Sequence, residues 1–244
     1  MKSLIISILL VFSMTGLLTP IASGQDTQDK TVKVRFRVFG WDDAPVDLNY
    51  AYRSKDTPIL VIQDSRSVFY DYTGPAVISF YRLTKNSEGK IIREIACQAN
   101  LDNAGSWPLI LLAKNRDNPA KYDTRVLRDD LTSFPSGSYA FSNFSTTPII
   151  GSLGGQTFNL PPAGDKLLQP TTGDDVTTLS AVLVKMEGDQ KVPVYTNNWA
   201  IQSARRTRVL IKASLESPSG LISIRVVEST VFPNPKEDGI TPPD

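Results

Sequence analysis

The sequence contains no histidine and only one cysteine among its 244 residues. Without an imidazole, the chain can form neither a serine-histidine-aspartate triad nor a histidine-ligated zinc or copper site, and it lacks the commonest general base near neutral pH. A single cysteine can form neither an internal disulfide nor a thiolate metal cluster. We therefore expect no metal, no cofactor and no catalytic residues. Any enzyme built on this chain would depend on carboxylates, lysine or tyrosine.

The sequence also lacks a charge bias. Lys and Arg together number 26 and Asp and Glu number 25, which gives a net charge of +1. Such a balance provides no electrostatic attraction to nucleic acid or to an anionic membrane surface, so we expect neither as a partner.

Long apolar runs are missing except near the N-terminus, where residues 4–12 read LIISILLVF. This run is shorter than the ~20 apolar residues that a membrane-spanning helix needs. The small residues Ala22 and Gly24 then fit the site that a signal peptidase cleaves. We predict a secretory signal at residues 1–24, cleaved before Gln25. The mature chain should have no membrane span and should be periplasmic or extracellular.

What the sequence has instead is a series of short alternating segments. Apolar side chains occupy every second position from Val32 to Val38, with lysine or arginine between them. This period of two is typical of a half-buried strand. Similar segments recur about every ten residues, and the turns between them draw on 17 prolines and 15 glycines. The pattern predicts an all-β chain folded into antiparallel sandwiches around a hydrophobic core.

A short motif occurs twice in the chain. Residues 101–109 read LDNAGSWPL and residues 160–168 read LPPAGDKLL, so both have a Leu-x-x-Ala-Gly-x-x-x-Leu skeleton. In each copy we expect the first leucine to end a core strand, Ala-Gly to form a turn, and the second leucine to re-enter the core. We interpret the echo as two related modules in tandem.

The predicted organisation follows from this echo and from local composition. Residues 25–120 would form the first sandwich and residues 121–232 the second. The polar stretch NRDNPAK, residues 115–121, is the best candidate for a linker between them. Residues 233–244 are rich in proline and have no apolar pattern, which favours a disordered tail.

Residues 32–113 contain VRFRVFGWDDAPVDLNYAY, SVFYDYTGPAVISFYR and ANLDNAGSWPLILLA. This part resembles a family of exported bacterial immunoglobulin-like modules of unknown function, which have a Val-Arg-Val strand, an Asp-Ala-Pro-x-Val-Asp turn and a Leu-x-Ala-Gly turn. Here the first turn is one residue shorter and the second has the extra residue Asn103. The second half is similar to the family only around SYAFSNFSTTPIIGSLGGQTFNLPPAG. The resemblance implies an immunoglobulin-like sandwich and no catalytic residues.

Five side chains are candidates for ligand binding. Tyr70 and Tyr72 share one strand face and, with Trp199, could present rings to the apolar face of a sugar. Arg206 and Arg208 also share a strand face and could hold the carboxylate or sulfate groups of an acidic polysaccharide. The alternatives are that the rings pack in the core and that the arginines face solvent and protect a sheet edge.

Acidic pairs occur at Asp42–Asp43, Asp129–Asp130 and Asp174–Asp175. They could supply a glycosidase dyad or oxygen ligands for calcium. Neighbouring residues of a strand point to opposite faces, so solvated turn aspartates are the favoured interpretation. Cys97 alternates with Ile91, Ile95 and Ala99, which favours a buried, unreactive thiol on the apolar face of a strand.

These observations favour a non-catalytic exported protein with a structural or binding role at the cell envelope or outside the cell. A carbohydrate-binding module with exposed tyrosine and tryptophan is the first alternative. A carboxylate-dependent glycoside hydrolase is the second. The sequence is compatible with two kinds of partner, a polysaccharide or another envelope protein.

Overall fold

The computed structural model describes residues 30–41, 47–115, 117–171, 176–201, 203–214, 217 and 219–229. The predicted signal peptide, the predicted tail, and the pairs Asp42–Asp43 and Asp174–Asp175 lie outside these residues. The described chain is built from β-strands with no helix, and its sheets form two sandwiches in tandem. The prediction of an all-β chain with two sandwich modules is therefore confirmed.

The first sandwich has eight strands: β1 (Thr31–Trp41), β2 (Leu48–Tyr52), β3 (Lys55–Ile59), β4 (Tyr70–Pro75), β5 (Val77–Lys85), β6 (Ile91–Asn100), β7 (Pro108–Lys114) and β8 (Tyr122–Arg128). One sheet has the order β4-β1-β7-β8 and the other the order β3-β2-β5-β6. Apolar side chains from both sheets meet in one core cluster, with Phe36 and Phe80 among its fully buried members.

The second sandwich also has eight strands: β9 (Tyr139–Asn143), β10 (Ile149–Leu153), β11 (Gln156–Leu160), β12 (Asp165–Leu168), β13 (Thr178–Glu187), β14 (Gln190–Ala200), β15 (Arg205–Ala213) and β16 (Leu221–Ser229). Its sheets have the orders β12-β9-β15-β16 and β11-β10-β13-β14. Phe141, Trp199 and Val209 lie in its core.

The two sandwiches have the same connectivity. Each strand of the first corresponds to the strand eight places later in the second, and both sheet orders match on that basis. The predicted antiparallel pairing holds for most neighbours, but β1 runs parallel to β7 and β9 runs parallel to β15. The two modules are therefore related in their fold.

The repeated Leu-x-x-Ala-Gly-x-x-x-Leu motif does not lie at equivalent positions of the two modules. Residues 101–109 connect β6 to β7, whereas residues 160–168 connect β11 to β12, and these connections occupy different places in the shared topology. The local expectation is nevertheless met, because both pairs of leucines are buried. Leucines that enter and leave a core recur at every turn of a sandwich, so short apolar matches between non-equivalent strands are common.

A β-bulge occurs at the same place in both modules. The pairing of β5 with β6 passes from Phe80↔Cys97 to Tyr81↔Ile95, which leaves Ala96 as the extra residue. The pairing of β13 with β14 shifts in the equivalent position, between Leu183 and Val184. A bulge changes which face the following residues occupy. Cys97 and Ala96 are both buried, as predicted for Cys97, but Ile95 is exposed on the other face.

The connection between the modules begins later than predicted. The stretch 115–121 is the turn of a hairpin, because β8 pairs with β7 along Pro108↔Arg128 to Lys114↔Tyr122. It is therefore not a linker, and β8 belongs to the first sandwich although it follows residue 120. The chain passes to the second sandwich through residues 129–138, where Asp129, Phe134 and Ser138 are buried.

The outer faces of two sheets pack against each other where the sandwiches meet. Strand β1 alternates as predicted up to Val38, but Phe39 and Trp41 then occupy the face that carries Lys33, Arg35 and Arg37. This apolar end joins residues of β7, β8 and β15 in a third buried cluster. Its members are Phe39, Trp41, Leu109, Leu111, Leu127 and Leu210. We call this contact between the sandwiches the module junction.

Candidate functional site

The module junction has a buried charged group beside its apolar part. Asp129, the first residue after β8, is only 4% exposed. Its carboxylate lies 3.3 Å from Nε of Arg66, 3.6 Å from Nη2 of Arg206 and 3.0 Å from Nη2 of Arg208. Arg66 belongs to the first sandwich and the other two arginines to β15 of the second. We call these four residues the Asp129 cluster, and they connect both modules to the segment between them.

The guanidinium groups of the cluster also bind backbone carbonyls. Arg206 donates from Nη1 to the carbonyl of Asp129 at 2.5 Å and to that of Phe134 at 3.2 Å. Arg208 donates from Nη2 to the carbonyl of Arg128 at 2.8 Å. The ring of Phe134 lies against both guanidinium groups, 5.0 Å and 4.7 Å from their central carbons. These contacts hold the connecting segment in one conformation.

One carboxylate balances three cations in this cluster. Burial by itself would raise the pKa of Asp129, but the nearby guanidinium groups of Arg66, Arg208 and Arg206 hold that pKa below its usual range. Asp129 is therefore ionised at neutral pH. Burial likewise lowers the pKa of Arg208, whereas the charge of Asp129 acts in the opposite direction. An arginine remains protonated under these conditions, so the cluster has an excess of positive charge.

A cleft of about 280 Å³ opens beside the cluster. Strand β8 forms one wall, β9 and β12 form the opposite wall, and the connecting segment and Arg208 close one end. A salt bridge of 2.9 Å between Arg125 and Asp165 links the two walls. Arg125 also donates to the carbonyl of Ala163 at 2.8 Å. We call this space the junction cleft, and both modules are needed to form it.

The lining of the junction cleft combines apolar walls with polar groups. Leu127, Phe134, Ala140 and Leu167 provide the apolar side chains. Arg208 contributes a guanidinium group, and Asp165 the one carboxylate in the lining. The side chain of Arg128 donates to the carbonyl of Asn103, and Lys166 lies opposite Phe141 on the core side of β12, so neither adds its charge to the cleft. The hydroxyl of Ser142 and Nε of Arg208 are buried and have no hydrogen-bond partner within the described part of the chain. A buried donor without a partner is unusual and costly in a folded protein.

The chain matches no protein-family model, and no curated protein matches it.

The predicted aromatic candidates do not form an exposed platform. Tyr72 is 5% exposed and Trp199 is 2% exposed. Tyr72 contributes to the core of the first sandwich, as does the half-buried Tyr70, whose hydroxyl accepts a hydrogen bond from the backbone of Leu60 at 2.7 Å. Trp199 lies in the other core and stacks on Tyr139, with ring centroids 5.8 Å apart. The alternative prediction, that these rings pack in the core, is therefore the correct one.

The predicted arginines do lie together, as expected for one strand face. Arg206 is 0% exposed and Arg208 is 4% exposed. The alternative prediction, that these arginines face solvent and protect a sheet edge, is therefore wrong for both. Their face is covered by the first sandwich, which a single strand pattern cannot reveal. Arg205, on the opposite face, is exposed.

The interpretation of Asp129 and Asp130 as solvated turn aspartates is wrong for Asp129, which the arginines surround. Asp130 does act as a turn residue, because its carboxylate accepts a hydrogen bond from the backbone of Ser133 at 2.9 Å. Its second oxygen is buried without a partner in the described structure. The pair is thus divided between two local roles.

The sequence reasoning missed Arg66, Asp129 and Ser142 as parts of one site. A usable signal was present in neighbouring strands: both faces of the segment PLILLA in β7 are apolar, and the polar face of β1 becomes apolar at Phe39. Strands with two apolar faces are buried on both sides. This pattern indicates a second contact, although it does not identify the partner surface.

Among the described residues, no group of three or more histidine, cysteine or acidic side chains is arranged to hold a metal ion. In the same residues, no helix has the length and apolarity to cross a membrane.

Proposed function

We propose that this protein is an exported, non-catalytic binding protein in which the two sandwiches act as one unit and the junction cleft is the ligand site. The observation that carries the proposal is the cleft itself, since it combines apolar walls with buried donors that have no partner in the described structure. Small-molecule sites are typically concave, mainly apolar, and provided with a few such polar groups. They also occur preferentially where domains meet.

The way in which the modules are joined supports the same proposal. A cleft between two domains keeps its shape only when the domains keep their relative position. Here an apolar cluster, the Asp129 cluster and the Arg125–Asp165 salt bridge all cross the junction. We infer that the ligand meets a largely pre-formed site.

The two alternative functions have less support. The tyrosines and the tryptophan proposed for sugar stacking contribute to the module cores. In the described Asp129–Asp130 pair, one carboxylate is occupied by arginines and the other caps a turn, whereas a glycosidase needs two carboxyl groups facing each other across a cleft. The absence of histidine also favours a non-catalytic role.

A thermal-shift screen tests the binding function. The mature protein is mixed with a panel of neutral, anionic and cationic small molecules and soluble polysaccharides, and a ligand is recognised by a rise in Tm. The variant Ala140→Phe places a ring into the junction cleft, because Ala140 lines it. We expect this variant to lose the rise. The matched control Ala200→Phe changes an exposed alanine at the end of β14 and should keep it.

Two outcomes would contradict the proposal. If no compound of any class stabilises the protein, the binding function fails and a purely structural role remains. If ligands stabilise Ala140→Phe as well as the wild type, the binding site lies elsewhere.

The proposed export has a separate test. When the full chain is expressed with its N-terminus intact, the protein should be recovered from the periplasm or the medium, and its first residue should be Gln25. Retention in the cytoplasm with an unprocessed N-terminus would contradict export while leaving the binding proposal in place.

A further inference from the structure

The charges around the junction cleft are unevenly distributed. The guanidinium groups of Arg125 and Arg208 border it, against the single lining carboxylate of Asp165. That carboxylate is already paired with Arg125 at 2.9 Å. The carboxylate of Asp129 is likewise shared among three guanidinium groups. The positive charge that lines the cleft is therefore only partly neutralised by the protein.

The buried donors have a matching geometry. Ser142 is 0% exposed and lies in β9, directly opposite Asp165 of β12. Arg208 uses Nη2 for the carbonyl of Arg128 and the carboxylate of Asp129, and its Nε has no hydrogen-bond partner in the described residues. Both residues line the same cleft. A hydroxyl and a guanidinium N–H are both hydrogen-bond donors. A ligand group with two acceptor oxygens could therefore accept a hydrogen bond from each of them.

The apolar lining and the size of the cleft restrict the acceptor further. An inorganic ion would leave the surfaces of Phe134 and Leu167 without contact. A volume of about 280 Å³ is near the lower end of the range for ligand pockets, which is roughly 300–1,000 Å³. The ligand should therefore be a small organic group rather than a long segment of a polymer.

We propose that the junction cleft binds the carboxylate of a small organic acid, with Arg208 Nε and the Ser142 hydroxyl donating hydrogen bonds to its oxygens. This inference rests on the proposed binding function. The apolar walls contact the carbon frame of the ligand. A free acid and the terminal uronic-acid residue of a polysaccharide both present this chemistry.

Isothermal titration of the mature protein with matched sugars tests the ligand class. The probes are glucuronate, glucose and glucosamine, which share a ring and differ in charge. We expect glucuronate to bind and the other two to bind at least about tenfold more weakly, because a charge-assisted pair contributes more than a neutral hydrogen bond. The binding constant of glucuronate should fall with added salt.

One variant examines the hydroxyl donor without disturbing the Asp129 cluster. Ser142→Ala removes the hydroxyl and should weaken glucuronate binding about five- to tenfold, the usual effect of one hydrogen bond. Ser180→Ala changes an exposed serine of β13 and should bind as the wild type does. The melting temperature of each variant shows that it is folded.

Two further probes separate the sources of the carboxylate. A short oligogalacturonide that binds about as well as glucuronate indicates a polysaccharide end, and one that does not bind indicates a free acid. Either result supports the carboxylate site.

The results that overturn the site differ from those that overturn the binding function. If glucose binds as well as glucuronate, or if Ser142→Ala binds like the wild type, the carboxylate assignment is wrong. If only neutral or cationic compounds give a rise in Tm that Ala140→Phe abolishes, the cleft is a binding site of another class. If no compound of any class binds, both proposals fail.

Discussion

At the scale of single residues, Asp129 has the most exacting environment. Removing the negative charge from between three buried guanidinium groups leaves their charges without compensation. We expect Asp129→Asn to lower the free energy of unfolding by about 3–5 kcal/mol, the usual cost of breaking a buried ion pair. Urea denaturation at neutral pH measures the effect.

The control for this prediction is Asp189→Asn, which makes the same change at an exposed aspartate in the β13–β14 turn. It should alter stability by less than about 0.5 kcal/mol, as surface substitutions commonly do. Equal effects of the two substitutions would show that the Asp129 cluster contributes little.

The same residue predicts a pH dependence. The folded protein holds the pKa of Asp129 below its ordinary value of 3.8. A carboxyl with a lowered pKa stabilises the fold fully above its unfolded value, and this contribution is lost as the pH falls through the folded value. We therefore expect the difference in stability between wild type and Asp129→Asn to be constant from neutral pH to about pH 5 and to shrink below about pH 4.

Urea midpoints measured for both proteins between neutral and strongly acidic pH test this dependence. A difference that persists unchanged in strong acid would mean that the ionised carboxylate is not what Asp129 contributes.

At the scale of secondary-structure elements, the two β-bulges decide which side chains reach the core. Because Ala96 is the extra residue of β6, both Ala96 and Cys97 are buried and Ile95 is exposed. We expect that, in a Cys97→Ser background, the thiol of Ile95→Cys reacts quickly with a maleimide and that of Ala96→Cys reacts only after unfolding. A regular strand would place residues 95 and 97 on one face and would reverse this order.

The control is the wild-type protein, in which Cys97 is the one thiol. Burial raises the pKa of Cys97 to about 12, so the native protein should be unreactive at about pH 8 and reactive in urea. Rapid labelling of native Cys97 would contradict the placement of β6.

Much of the strand pattern could be predicted, because a period of two is a local property of the sequence. The alternation from Val32 to Val38 correctly identifies the inner face of β1. The bulge at Ala96 could not be predicted, since nothing in IIREIACQA distinguishes the extra residue. The echo in residues 101–109 and 160–168 was misleading because it compares turns from different places in the topology.

The candidate site was less predictable than the strands. Its parts are Arg66, Asp129, Ser142 and Arg208, which are far apart in the sequence and meet only when the two sandwiches pack. Arg206 and Arg208 could be placed on one strand face from their spacing. Their burial depends on the module opposite, and a pattern within one strand carries no information about it.

At the scale of the whole molecule, the junction should make the two sandwiches unfold together. Each sandwich alone would expose the apolar residues of the third cluster, and a separated Asp129 cluster would leave charges unpaired. Coupling of this kind makes two domains behave as one cooperative unit. The shared fold thus supplies two copies of one scaffold, and the junction supplies what neither copy has alone.

The three tryptophans report on this coupling because they lie in different regions. Trp107 is in the first sandwich, where it contacts Phe69 with ring centroids 5.8 Å apart. Trp41 is in the junction, 4.7 Å from the ring of Phe144, and Trp199 is in the core of the second sandwich. Variants that keep one tryptophan and replace the others with phenylalanine therefore give three separate unfolding signals.

We expect the three signals to show the same urea midpoint in an otherwise wild-type protein. Leu210→Ala removes a fully buried side chain of the junction, which should cost about 2–5 kcal/mol and separate the transitions reported by Trp107 and Trp199. Leu83→Ala, at an exposed position of β5, should leave them coincident. Separate midpoints before any change at the junction would show that the sandwiches unfold independently, and a rigid site between them would then have no physical basis.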